Sequence, residues 1–158
     1  MASPALTDLL ATLASSRVEL IVVGGLAAVA QGAPITTHDL DIVHRRTEDN
    51  LERLLAVLGD LDAQDRGHHH HVLRPTAEIL RGRGHSLLMT RLGPLDVLGE
   101  IEGGRDYDVL VPDSIEIAVA GHPIRVLRLE TIVEIKRASK HAKDQRMLPL
   151  LEETLKRR

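Results

Sequence analysis

The chain contains no cysteine, no tryptophan and no phenylalanine, and it has a single tyrosine. Without cysteine there is no disulfide, no thiolate metal site and no thiol nucleophile. With aromatics at 1%, stacking of bases on aromatic rings is largely excluded as a binding mode. A core must be assembled from Leu, Val, Ile and Ala, and any contact to a base falls to aliphatic, Arg or His surfaces. No long apolar run or signal-peptide pattern is present. Residues 1–17 carry Asp8 and read as an amphipathic N-terminal helix, so the expected location is the cytoplasm, with no membrane contact. A net charge of −3 gives no global basic footprint, which argues against tight unaided binding to nucleic acid.

What is present describes a globular chain. With 158 residues, 43% of them hydrophobic, one domain over 1–158 with a substantial core is expected. Leu6, Leu9, Leu10 and Leu13 recur at helical spacing, followed by an apolar run at 18–23 that suits a buried strand. Helices are expected at 27–31, at 47–58 and briefly at 76–81. Runs at 85–91 and 95–98, separated by Gly93-Pro94, read as a hairpin, and 114–119 with 124–129 as another strand pair. Segments 129–141 and 144–155 close the chain as a C-terminal helical element. No repeat and no long linker divides the sequence. The expected class is α/β, in the α+β sense of a mixed sheet flanked by helices.

The stretch with chemical content is VGGLAAVAQGAPITTHDLDIV, at 23–43. It reads as a strand end, a Gly-Gly turn, a short helix, a loop and a second strand. On an extended strand Asp39 and Asp41 point to one side while Leu40 and Ile42 point to the other. Gly24 and Gly25 have no Cβ, so their backbone can approach an anion, with the following helix start adding partial positive charge. Either feature alone is ordinary: a tight turn, or a solvated strand edge. In this order, between apolar runs, they are far more specific.

This segment resembles the signature of the polymerase-beta-like nucleotidyltransferase superfamily: a Gly-Gly or Gly-Ser turn, a spacer, then Asp-hydrophobic-Asp. The resemblance, over 18–155, is closest to the small bacterial branch that holds the AbiEii and MenT-like toxins. It implies a mixed sheet flanked by helices. The implied activity is transfer of an NMP from an NTP to an acceptor hydroxyl, of the EC 2.7.7 type, with a two-metal Mg²⁺ site in which Mn²⁺ can substitute. Gly24, Gly25 and Thr37 would then position the triphosphate.

A two-metal clamp needs a further carboxylate. Asp96, in the apolar run PLDVL, is the best candidate, because an unpaired carboxylate there would be costly to bury; a solvated hairpin face is the plain alternative, and Glu100 the weaker competitor. The segment TRLGPLDVLGEI has parallels in the related minimal enzymes, with the aspartate beside the Asp-x-Asp strand. Every lysine (Lys136, Lys140, Lys143, Lys156) lies near the C-terminus, with the first three about one helical turn apart. Lys136 follows the apolar face of Ile132 and Ile135, so its ammonium can reach a site rim and hold phosphates. By resemblance, Lys136 and, eight residues on, Asp144 match the branch's Lys…Asp element; helix capping accounts for Asp144 equally well. Two positions depart from the branch: Ile35 and His141 stand where an Arg is frequent.

The expectation is therefore a nucleotidyltransferase with Asp39, Asp41 and Asp96 as metal ligands, Lys136 and Asp144 in catalytic roles, and tRNA, a protein or a small molecule as acceptor, with an antitoxin as partner if the chain is a toxin. A nucleotide-binding regulatory protein without turnover is the alternative. A metal-binding protein built on His68, His69, His70 and His71 is a third reading; a solvated loop explains that run better, because consecutive residues do not converge on one ion.

Overall fold

The computed structural model describes residues 3–67 and 70–158. Among them, seven strands form one mixed sheet in the order β3-β4-β5-β2-β1-β7-β6. Helix α1 (Pro4–Ser15) begins where Ser3 Oγ accepts from the Leu6 N–H at 3.2 Å. Proline at the first helical position completes a favourable start. Its buried stripe is Leu6, Leu9, Leu10 and Leu13, which packs against the sheet as the spacing predicts.

β1 (Leu20–Val23) is buried at every position, because it lies at the inner sheet between β2 (Leu40–His44), antiparallel, and β7 (His122–Leu127), parallel. α2 (Gly24–Ala30) starts directly at its end. β5 (Gly93–Leu98) runs parallel to β2 and pairs antiparallel with β4 (His85–Thr90), so the predicted hairpin is present. β6 (Ser114–Val119) pairs with β7 as expected. β3 (Gln64–Asp65), a two-residue edge strand on β4, and a short helix α5 (Tyr107–Leu110) were not expected from the pattern; both are too short to show a hydrophobic period.

α3 (Glu48–Asp60) and α4 (Ala77–Arg81) match the sequence reading. Asn50, fully buried at the start of α3, accepts from the Glu19 N–H at 2.7 Å and donates to the Glu19 and Arg45 carbonyls. It thereby latches α3 to the ends of β1 and β2. The C-terminal element departs from expectation. α6 (Leu129–Ala138) ends at an extended Ser139, and α7 (Ala142–Lys156) begins after His141. Lys140 therefore lies in a connector, and Lys136, Lys140 and Lys143 do not form one helical row. No described helix is long and apolar enough to cross a membrane.

Candidate active site

The Gly-Gly turn and the strand β2 are pressed together. Gly24 has φ +69°, a left-handed conformation that favours glycine. A Cβ there would overlap Asp41 Oδ2. A Cβ on Gly25 would stand 3.1 Å from Thr37 Oγ1, and Thr37 donates its hydroxyl to the Asp39 carbonyl at 3.2 Å. The two glycines therefore allow the turn to lie directly against the segment that carries the aspartates. Helix α2 is short, so close backbone approach contributes more here than a macrodipole does.

β2 and β5 run parallel with Asp41 in register with Asp96, which puts the two carboxyls on one face of the sheet. They are hydrogen-bonded to each other. Burial first, then the hydrogen bond and charge of Asp96 and the charge of Asp39, pushes the Asp41 carboxyl up to about 7. Asp41 Oδ1 is buried and has no hydrogen-bond partner. Asp39, just before β2, is exposed. Glu100 follows β5, faces Arg83 at 3.7 Å and does not line the cleft at Asp41.

On the other side of Asp41 opens a cleft of about 210 Å³. Gly24, Asp41, Glu102, Lys136 and Asp144 supply its polar lining, and Leu98, Ile101, Ile132 and Ile135 much of its apolar wall. Lys136 Nζ lies 3.0 Å from Asp144 Oδ1, and Ser139 Oγ donates to Asp144 Oδ2 at 2.6 Å. The Ser139 hydroxyl first, with the Lys136 ammonium also contributing, holds the Asp144 carboxyl below its ordinary value. Asp144 thus clamps the α6–α7 turn through side chains and does not cap a backbone amide. Lys140 and Lys143 are exposed. Ile35 is buried next to Gly25, and His141 is exposed at the start of α7.

Three residues of the site carried no signal in the sequence. Arg66, from the polar segment after α3, places Nη2 2.6 Å from Asp96 Oδ1. Ser139 orders Asp144. Gln31, buried, donates to the Leu127 carbonyl at 2.7 Å and accepts from the Leu129 N–H at 2.7 Å. It ties the end of α2 to the start of α6, and so fixes the helix of Lys136 relative to the glycine turn. A buried amide between helical segments is visible only once its partners are known.

No group of three or more His, Asp or Glu side chains that could hold a metal comes together among the described residues. The acidic pair nevertheless fits a cation: two in-register carboxyls, a third acidic charge acting on them, and one buried oxygen without a partner. His68 and His69 lie outside the described residues; His70 and His71 are exposed or nearly so and join no such group.

The chain covers 100% of itself and 97% of the length of a candidate nucleotidyltransferase from Thermotoga maritima, at TM-score 0.56 and 18% identity. The fold is a nucleotidyltransferase fold. The lincomycin-bound lincosamide antibiotic adenylyltransferase LnuA matches at TM-score 0.62 and 15% identity, over 95% of this chain and 96% of its own. The antibiotic-resistance factor ANT(2'')-Ia matches at TM-score 0.56 and 17% identity, over 96% of this chain and 82% of its own. The family model of the aminoglycoside-2''-adenylyltransferases matches residues 5–75, a segment that holds Gly24, Asp39 and Asp41 but neither Asp96 nor Lys136. No curated protein matches the sequence. The resemblance read from the glycine turn and the Asp-x-Asp strand thus holds at the level of the superfamily.

Proposed function

We propose that this protein is a nucleotidyltransferase that moves an NMP from an NTP to an acceptor hydroxyl, within one domain spanning 1–158. The observation that carries the proposal is the contact of the Gly24 backbone with the Asp41 carboxylate in a cleft shared with Lys136. Phosphate-approaching backbone, acidic pair and ammonium meet in one place, as phosphoryl transfer by positioning and charge requires.

Asp41 and Asp96, with Asp39, would hold divalent cations, Mg²⁺ or Mn²⁺, which supply charge neutralisation at the transferring phosphate. Gly24 and Gly25 bring backbone close to the triphosphate, and Thr37 braces the segment that presents Asp39. Lys136 contacts phosphate oxygens, and Asp144 orients its ammonium. Leu98, Ile101, Ile132 and Ile135 offer the base an aliphatic wall in place of an aromatic one. The acceptor oxygen forms a new bond to the α-phosphorus as the bond to pyrophosphate breaks.

The antibiotic adenylyltransferases among the structural neighbours support a small-molecule acceptor. A toxin of the AbiEii/MenT-like branch, with tRNA or protein as acceptor and an antitoxin partner, is the finer reading of the sequence motifs. Purified protein incubated with Mg²⁺, each labelled NTP, and separate pools of small hydroxyl compounds, tRNA and protein decides between them. Label should enter one pool with wild type and fall on the order of a thousandfold with Asp41→Asn. Undiminished transfer by a folded Asp41→Asn protein would sink the assignment. Saturable NTP binding with no pyrophosphate release from any pool would favour the regulatory reading.

A further inference from the structure

Arg66 lies outside the motifs that define the proposed reaction, yet it makes the shortest ion pair of the acidic face. The main chain that carries it is pinned to the sheet edge: the Asp65 N–H donates to the Leu73 carbonyl at 2.8 Å and the Arg66 N–H to the Leu87 carbonyl at 2.9 Å. Its guanidinium is held at both ends. Nη1 donates to the Leu88 carbonyl at 2.7 Å, and Nη2 to Asp96 Oδ1 at 2.6 Å. The side chains of Arg66 and Asp96 are only 26% and 18% exposed, so the pair is weakly screened by solvent.

We propose that Arg66 is a built-in counter-cation of the acidic pair, competing for Asp96 with the divalent cation of the proposed transfer reaction. An arginine at 2.6 Å occupies a carboxylate oxygen that a metal ligand must offer, and its charge repels a second cation from the same face. Its effect reaches Asp41, where the guanidinium charge opposes the influence of the acidic neighbours. Lys136 does not share this task, since its ammonium is committed to Asp144. The consequence is an order of loading. Free cation binds poorly while Arg66 holds Asp96, and binds well when a triphosphate brings negative charge with it. Arg66 thereby couples metal capture to nucleotide arrival.

The inference rests on the cation reading of Asp41 and Asp96, and the test separates the two. Binding of Mn²⁺ alone to the full chain, without nucleotide, is measured by the electron paramagnetic resonance of free Mn²⁺. Arg66→Gln keeps a donor for the Leu88 carbonyl but removes the charge, and should bind Mn²⁺ about tenfold more tightly than wild type. Arg66→Lys keeps the charge and should stay within about twofold of wild type. If the glutamine variant does not fold, Arg66→Met supplies the same comparison. Binding that is unchanged or weaker in the neutral variant overturns the competition and makes Arg66 an organiser of Asp96. The gained affinity should vanish in Arg66→Gln/Asp41→Asn; if it persists there, the acidic pair is not the cation site, and the reading beneath the inference falls with it.

Discussion

Asp41 and Asp144 line the same cleft, carry the same functional group, and have opposite environments. Asp41 is crowded by Asp96 and Asp39 and has an oxygen with no partner; Asp144 is held by a hydroxyl and an ammonium. One carboxyl is pushed up to about 7, the other is held low. The difference teaches how the cleft is divided. The Asp144 wall is already neutralised by its own chain and can serve as scaffold. The Asp41 wall holds excess acid and is complete only with added positive charge.

The sharpest way to break this contrast is through the residue that presses on Asp41. Gly24→Ala places a Cβ against Asp41 Oδ2 at a left-handed backbone position. Either the turn or the carboxylate must move. A shift of about 1 Å at a reacting centre costs on the order of a hundredfold in rate, so transfer should fall by that amount, while the Lys136–Asp144 wall stays intact. Steady-state kinetics beside a thermal melt check this; full activity in Gly24→Ala would mean that the close contact has no function.

The same contrast explains what could be read from the sequence. Gly24, Gly25, Asp39 and Asp41 lie in one short segment, where alternation along a strand and the absence of Cβ atoms have local consequences. The apolar stripe of α1 and the β4–β5 hairpin were legible for the same reason. Asp96 was legible because a carboxylate in an apolar run needs a partner. That partner was not, since Arg66 is one arginine in a polar segment and meets Asp96 only because β3 pairs with β4. Ser139 and Gln31 were hidden likewise: each acts across a turn or between elements, and no periodicity marks it. The row of three lysines failed because Ser139 takes an extended conformation that ends α6.

Stability against pH offers a second, smaller handle. The Asp41 carboxyl ordinarily titrates at 3.8 and is raised to about 7 in the fold. The folded chain therefore binds more protons than the unfolded chain between those values, and stability falls as pH rises through that window. Asp41→Asn should remove this decline and, at pH 8, be more stable than wild type by on the order of 2 kcal/mol. Mg²⁺ should raise the melting temperature of wild type at pH 8 more than at pH 5, and should do little for Asp41→Asn. A flat wild-type profile from pH 4 to 8 would place Asp41 in a less crowded site than the sheet register implies.

Asp144 should show the reverse sign. Its carboxyl is held below the ordinary 3.8 by Ser139 first and Lys136 next, so the stabilisation is present above pH 3.8 and is lost as pH falls through the lower folded value. Ser139→Ala removes the hydroxyl that donates at 2.6 Å. A charge-assisted hydrogen bond of this kind contributes about 1 kcal/mol when part of the site is open to solvent. Ser139→Ala should therefore destabilise the chain by about that much at pH 7, with the gap narrowing below pH 4 as the carboxyl takes up its proton. Denaturant melts at the two pH values measure it directly. A loss that is equal at both would show that Ser139 acts through the backbone of the α6–α7 turn, and the two carboxyls of the cleft would then differ in crowding alone and not in how their charge is held.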